Sequence, residues 1–155
     1  SCKEITLSTF NNKFLLVTFW ASWDDESRRQ VKLLQTLRDS IKSEKFEILN
    51  IAFEHDTAAW KRCIENDSIT GYNVCEKEAW SSEIANKFNI GSLPYSVLLN
   101  SYQRVIRVGV DIEKDATVID SIIAKHEKSI KEREKREKEK EKKSKEKKEK
   151  NKKRK

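Results

Sequence analysis

Phe14-Leu-Leu-Val-Thr-Phe-Trp-Ala-Ser-Trp-Asp-Asp-Glu-Ser-Arg28 is the stretch that decides how this chain folds. From Phe14 to Trp20 every residue except Thr18 is apolar, a run of strand length and far too short to cross a membrane. A strand without polar alternation is one covered on both faces, as strands of a parallel sheet are. The period then changes. Val31, Leu34, Leu37 and Ile41 recur at helical spacing with Arg and Lys between them, which predicts a helix over 28–42. Asp24, Asp25 and Glu26 fall where that helix begins. There a carboxylate accepts from free amides, and the helix dipole favours negative charge.

Outward from this segment the two periods alternate. Phe46–Phe53 reads as a second strand, and Ala59, Trp60, Cys63 and Ile64 share one face of a helix over 57–66. Tyr72–Cys75 is a short strand, and Ile84, Ala85 and Phe88 mark a third helix. Ser96–Leu99 and Arg104–Val110 flank Asn100–Gln103 as a hairpin, and Val118, Ile119, Ile122 and Ile123 begin a last helix near Asp115. Alternation of strand and helix implies parallel pairing, and the late hairpin adds antiparallel strands. The predicted fold class is α/β, a three-layer α/β/α sandwich around a mixed central sheet.

Charge divides the chain in two. Residues 125–155 hold 18 Lys/Arg and 8 Glu, and no Val, Ile, Leu, Phe, Trp, Tyr, Cys or Ala follows Ile130. The remaining 15 basic and 18 acidic residues of 1–124 give that part a net of −3, so the +7 of the whole chain belongs to the tail. The folded part is therefore not a basic nucleic-acid-binding domain. All four Trp, three Tyr and six Phe lie in 1–124, enough apolar mass for one core. The expected organisation is a folded domain over 1–124 and a Lys/Glu-rich tail over 125–155. Seven of the tail's eight glutamates have Lys or Arg four residues on, an arrangement worth a few tenths of a kcal/mol per pair in a solvated helix. The tail is expected to extend the last helix and fray toward Lys155, and its positive excess to favour anionic lipid, lipopolysaccharide or nucleic acid through charge alone.

Cys2, Cys63 and Cys75 form no CxxC pair, and His55 and His126 are not spaced with them as metal ligands, so neither a metal site nor a cofactor is expected. Cys63 reads as a small buried hydrophobe on the face of Trp60 and Ile64. Cys75, at a strand end, reads as a structural thiol, as a reactive one, or as a partner for Cys63 if the two approach within disulfide range. His55 falls in a loop or at a helix start.

Phe19-Trp-Ala-Ser-Trp-Asp-Asp-Glu-Ser-Arg28 resembles the thioredoxin superfamily, and most of all the TlpA/ResA type of thiol-disulfide oxidoreductase related to the AhpC/TSA peroxiredoxins. Those proteins run from a strand into Trp-Ala-Ser-Trp-Cys-x-x-Cys-Arg. Lys3–Phe10 is similar to the family's entry segment, Trp60 and Tyr72–Cys75 to its middle, and Ala85–Asn100 to the segment that carries its cis-proline, here Pro94. The resemblance covers about 3–124. The family's first strand has no counterpart, which implies trimming or a preceding domain.

The resemblance places Asp24 and Ser27 at the two redox cysteines, so the site is degenerate. A carboxylate has no sulfur chemistry, and an isolated serine hydroxyl is a poor nucleophile. Arg28 matches the family. Gln30 and Lys32 stand where it has an acidic residue and the proline that kinks the helix. By resemblance, Trp23, Asp24, Leu93, Pro94 and Tyr95 form a groove for an extended peptide, although Pro94 has an equal claim to shaping only the turn into the next strand. The expectation is a peptide- or protein-binding module, redox-inactive at the usual site. The alternative is an oxidoreductase or peroxidase-like enzyme using Cys75 or Cys63. The family implies a bacterial periplasm or cell envelope.

Overall fold

The computed structural model describes residues 5–152, so Cys2 and the last three residues of the tail lie outside the described residues. Residues Ser1–Asp120 and Ser121–Lys155 are two compact units, divided four residues ahead of the boundary read from charge. The first unit is built on five strands: β1 (Phe14–Trp20), β2 (Phe46–Phe53), β3 (Tyr72–Glu76), β4 (Tyr95–Leu99) and β5 (Val105–Val108). Their order across the sheet is β3-β2-β1-β4-β5. β1–β2 and β2–β3 are parallel, while β4 runs antiparallel to β1 and β5 antiparallel to β4. This is the mixed sheet, covered by helices, of a thioredoxin-like α/β fold.

All seven residues of β1 are buried. Leu15, Val17 and Phe19 share a face with Leu49, Ile51, Phe53, Val97 and Leu99, and that face packs on Phe10, Ala79, Ala85 and Ile90. Phe10 comes from a 3₁₀ turn at Leu7–Phe10, and Ala85 from the short helix α4 (Glu83–Lys87), capped by the Ser82 hydroxyl. The alternate residues of β1 point to the opposite layer. Two helices there touch the sheet, α1 (Asp25–Val31) on β1 and α2 (Leu34–Ser40) on β2, and they bury Val31, Leu34 and Leu37. Phe19 anchors the first layer, its ring centroid 5.4 Å from that of Phe88 and 5.8 Å from that of Phe53.

The structure corrects the sequence reading in three places. The helix expected over 28–42 is two helices broken at Lys32–Leu33, although no proline stands there. The Leu33 amide bonds three residues back to Gln30, tightening the turn, and the ladder restarts when Leu37 bonds Leu33. The strand expected over 104–110 is only Val105–Val108: the Arg104 carbonyl closes the turn on the Asn100 amide, and Gly109 leaves extended backbone at φ +62°. The helix over 57–66 runs one residue further as α3 (Thr57–Asp67), capped by Asp56 on the amides of Ala58 and Ala59, and His55 lies in the bend before it. Gly71 leads into β3 with φ +90°, where a Cβ would come within 2.8 Å of the Ile48 carbonyl oxygen.

Asp67 joins α1 to α3. Its Oδ2 accepts from Arg28 Nε at 2.9 Å and Nη2 at 2.8 Å, and Lys32 Nζ lies 3.0 Å from Oδ1. The Asp67 side chain is only 8% exposed. Burial alone raises a carboxyl pKa, but the hydrogen bonds from Lys32, Arg28 and Cys63 outweigh it and hold Asp67 below the usual carboxylate range. The second unit is the continuation of α5 (Ala116–Lys152), helical from Ser121 on, with Ile123 buried and every residue from 131 to 148 exposed. Among the described residues no helix is long and apolar enough to cross a membrane.

Two outcomes follow from this packing. Phe19→Ala is expected to lower stability by about 3–5 kcal/mol, as buried Phe truncations do, measured by urea unfolding. For Asp67 the folded pKa is depressed, so its pairing stabilises the fold above the unfolded value near pH ~3.9 and is lost as pH falls through the folded one. Asp67→Asn is expected to cost about 1–3 kcal/mol at neutral pH, and that difference to shrink in unfolding curves taken from about pH 5 down to about pH 2.

Candidate functional site at the carboxyl end of the parallel strands

Three parallel strands finish at one edge of the sheet, and β4, running the other way, starts there. Phe19 near the end of β1 pairs with Tyr95 at the start of β4, their ring centroids 6.4 Å apart. The register thus brings three features to one end of the sheet: the loop 21–24, the end of β2 at Phe53–Glu54, and Leu93–Pro94. Ligands of open α/β sheets bind at this end of the strands.

The loop is short and tied down. The Asp24 amide donates to the Ala21 carbonyl at 3.3 Å, and Asp24 Oδ2 accepts from the Ser27 amide at 2.7 Å. Asp24 is thus the N-cap of α1, in extended backbone, with Asp25 and Glu26 in the first turn. Glu26 accepts from Arg29 and Gln30, which bring its carboxyl down to about 2. Arg29 also reaches Glu113 at 2.7 Å. Ser27 is fully buried, its Oγ without a hydrogen-bond partner among the described residues. Trp23 stands out at 63% exposure, while Leu93, Pro94 and Tyr95 are half-buried and the Leu93–Pro94 peptide is cis.

Two groups on this end escape a sequence reading. Glu54, only 6% exposed, accepts a short hydrogen bond from the Ser22 hydroxyl, and its other oxygen accepts from the Asp56 amide at 3.3 Å. A buried carboxylate therefore braces the loop from behind. Its one sequence signal is an acidic residue directly after an apolar strand. Asp67, one residue past the helix predicted over 57–66, is the other: it fixes the Arg28 guanidinium.

The cysteines lie on α3 and β3, outside the loop 21–24 itself. Cys63 is buried in α3, and its Sγ lies 3.4 Å from Asp67 Oδ2. Burial pushes the Cys63 thiol up, the hydrogen bond to Asp67 adds to that, and the nearby Arg28 charge opposes it. The net is a thiol that keeps its proton at neutral pH. Cys75 is half-buried in β3, its Sγ 3.3 Å from the Glu54 carbonyl oxygen. Cys63 and Cys75 are not bonded to each other; among the described residues each thiol is turned to a different acceptor. A cleft of about 630 Å³ runs along β3 from Ile5 and Leu7 past Tyr72 and Val74 to Cys75. It opens beside the sheet edge and does not include Trp23 or Pro94.

Comparison with known proteins agrees with this geometry. The thioredoxin-like family matches residues 11–105. A thiol-disulfide oxidoreductase from Bacteroides fragilis NCTC 9343 is 31% identical, with a TM-score of 0.62 over 69% of this chain and 77% of that one. The thioredoxin domain of a thiol-disulfide oxidoreductase from Bacteroides vulgatus shares the fold at 18% identity, with a TM-score of 0.70 over 77% and 85% of the two chains. StoA from Bacillus subtilis does so at 17% identity, with a TM-score of 0.58 over 69% and 82%. No curated protein matches the sequence. With more than half of its length matched and the mixed sheet ending on a capped helix after Trp-Ala-Ser-Trp, the chain belongs to the thioredoxin-like family, among the relatives of the thiol-disulfide oxidoreductases.

Proposed function

We propose that this chain is a non-catalytic thioredoxin-like module that holds an extended peptide or protein segment on the face where its relatives carry redox cysteines. The observation that carries this reading is the Asp24–Ser27 hydrogen bond. The carboxylate occupies the Ser27 amide at the start of α1, which would otherwise be free to stabilise a thiolate. Ser27, four-fifths of a turn on, offers oxygen where resolution of a mixed disulfide needs sulfur. Exposed Trp23 and half-buried Leu93, Pro94 and Tyr95 supply apolar contact area at the same end of the sheet, and an aromatic anchor of this kind dominates many peptide interfaces. The bacterial relatives support a bacterial cell envelope or periplasm as the place of work.

A second reading rests on Cys75, a half-buried thiol on the wall of an open cleft, acting singly in a peroxidase or isomerase role. Cys63, buried and raised, is the weaker candidate for the same role.

Insulin reduction separates the two. Wild type and Cys75→Ser are both expected at background, and Asp24→Cys/Ser27→Cys is expected to gain turnover, because a sulfur at 27 enters a site that strands no polar partner. Turnover by wild type that Cys75→Ser abolishes replaces the first reading with the second. On an array of extended peptides, Trp23→Ala is expected to weaken binding by about tenfold or more.

A further inference from the structure

The tail helix is not charged evenly around its axis. At about 100° per residue, positions 125, 129, 133, 136, 140, 143 and 147 fall within an arc of about 80°. Lys125, Arg133, Arg136, Lys140, Lys143 and Lys147 occupy six of them and Ser129 the seventh, so the arc contains no acidic residue. All seven are exposed. Glu127, Glu134, Glu137 and Glu141 gather about 120° away, on the side that carries buried Ile123 and half-buried Ile130, while Glu132, Glu139 and Glu146 flank the arc about 20° to 60° beyond its other edge. From Lys125 to Lys147 the stripe is about 33 Å long at the helical rise of ~1.5 Å per residue.

We propose that this stripe docks the protein on an anionic lipid bilayer, the helix lying flat with the cations of the stripe on the headgroups and no glutamate between them. Two features favour a flat surface over a nucleic acid duplex. The charges lie in one straight row, which a plane meets all at once. A helix in the major groove has phosphates on both flanks, where the glutamate side would be repelled. No apolar residue follows Ile130, so the contact is peripheral and electrostatic, with nothing inserted into the acyl region.

The test uses the full chain and vesicles of phosphatidylcholine with and without phosphatidylglycerol, read by co-sedimentation. Binding is expected only with phosphatidylglycerol, and is expected to be lost between about 0.1 M and about 0.5 M salt. Arg133→Gln/Arg136→Gln/Lys140→Gln/Lys143→Gln is expected to weaken it by about tenfold or more. Lys131→Gln/Lys135→Gln/Lys138→Gln/Lys142→Gln removes the same charge from another side, and is expected to change binding by less than about threefold. Glutamine keeps helix propensity, and circular dichroism checks that both variants stay helical. Equal losses in the two variants would mean that net charge alone acts, and would overturn the stripe. Tighter binding to duplex oligonucleotide than to the vesicles would also overturn it, as would binding that salt leaves unchanged.

Discussion

β1 is buried along its whole length and bonded on both sides, in parallel to β2 and antiparallel to β4. Everything at the candidate site inherits its position from that one strand. Its parallel partner brings Glu54 to the end where β1 stops, and its antiparallel partner brings the cis Leu93–Pro94 peptide to the same end. A one-residue slip of either neighbour would turn Phe19, Phe53 and Tyr95 out of their shared layer, so the register is fixed by core packing rather than by the loop. The short loop 21–24 then has little freedom. Ser22 is tied to Glu54, Asp24 to Ser27, and Arg28 to Asp67.

On the proposed reading, the electrostatics of the helix start explain how two cysteine positions can pass to oxygen with the helix start still capped. Free amides and the positive end of the helix dipole stabilise an anion, whether thiolate or carboxylate. Asp24 meets that demand at a distance of 2.7 Å. On that reading the cap is kept and nucleophilicity is given up, since the Asp24 carboxylate is directed at the Ser27 amide and has no sulfur with which to form a bond. The Ser27 hydroxyl has no hydrogen-bond partner among the described residues, so that side chain contributes by filling volume in the core.

Much of this is legible in the residues. The apolar run Phe14–Trp20, the helical spacing of Val31, Leu34 and Leu37, and the acidic start of α1 each report a local rule, and the element order and the cap follow from them. The break at Lys32–Leu33 is not legible, because without a proline it depends on how the turn tightens in place. The role of Asp67 is hidden for a different reason: its partners Arg28 and Lys32 are more than thirty residues away, and no spacing rule links them. Glu54 is similar, a carboxylate whose burial and bond to Ser22 exist only once β1 and β2 are side by side. For the cysteines, sequence leaves Cys63 and Cys75 open as a pair, while in the fold each thiol is directed to a separate acceptor.

The proposal at the centre of the account is that no pair of cysteines in this chain exchanges electrons. The most direct measurement is a thiol count on the protein equilibrated across a series of oxidised and reduced dithiothreitol mixtures. The account predicts a count that stays constant through the series. A cooperative loss of two thiols with a defined midpoint, and its return on reduction, would contradict it.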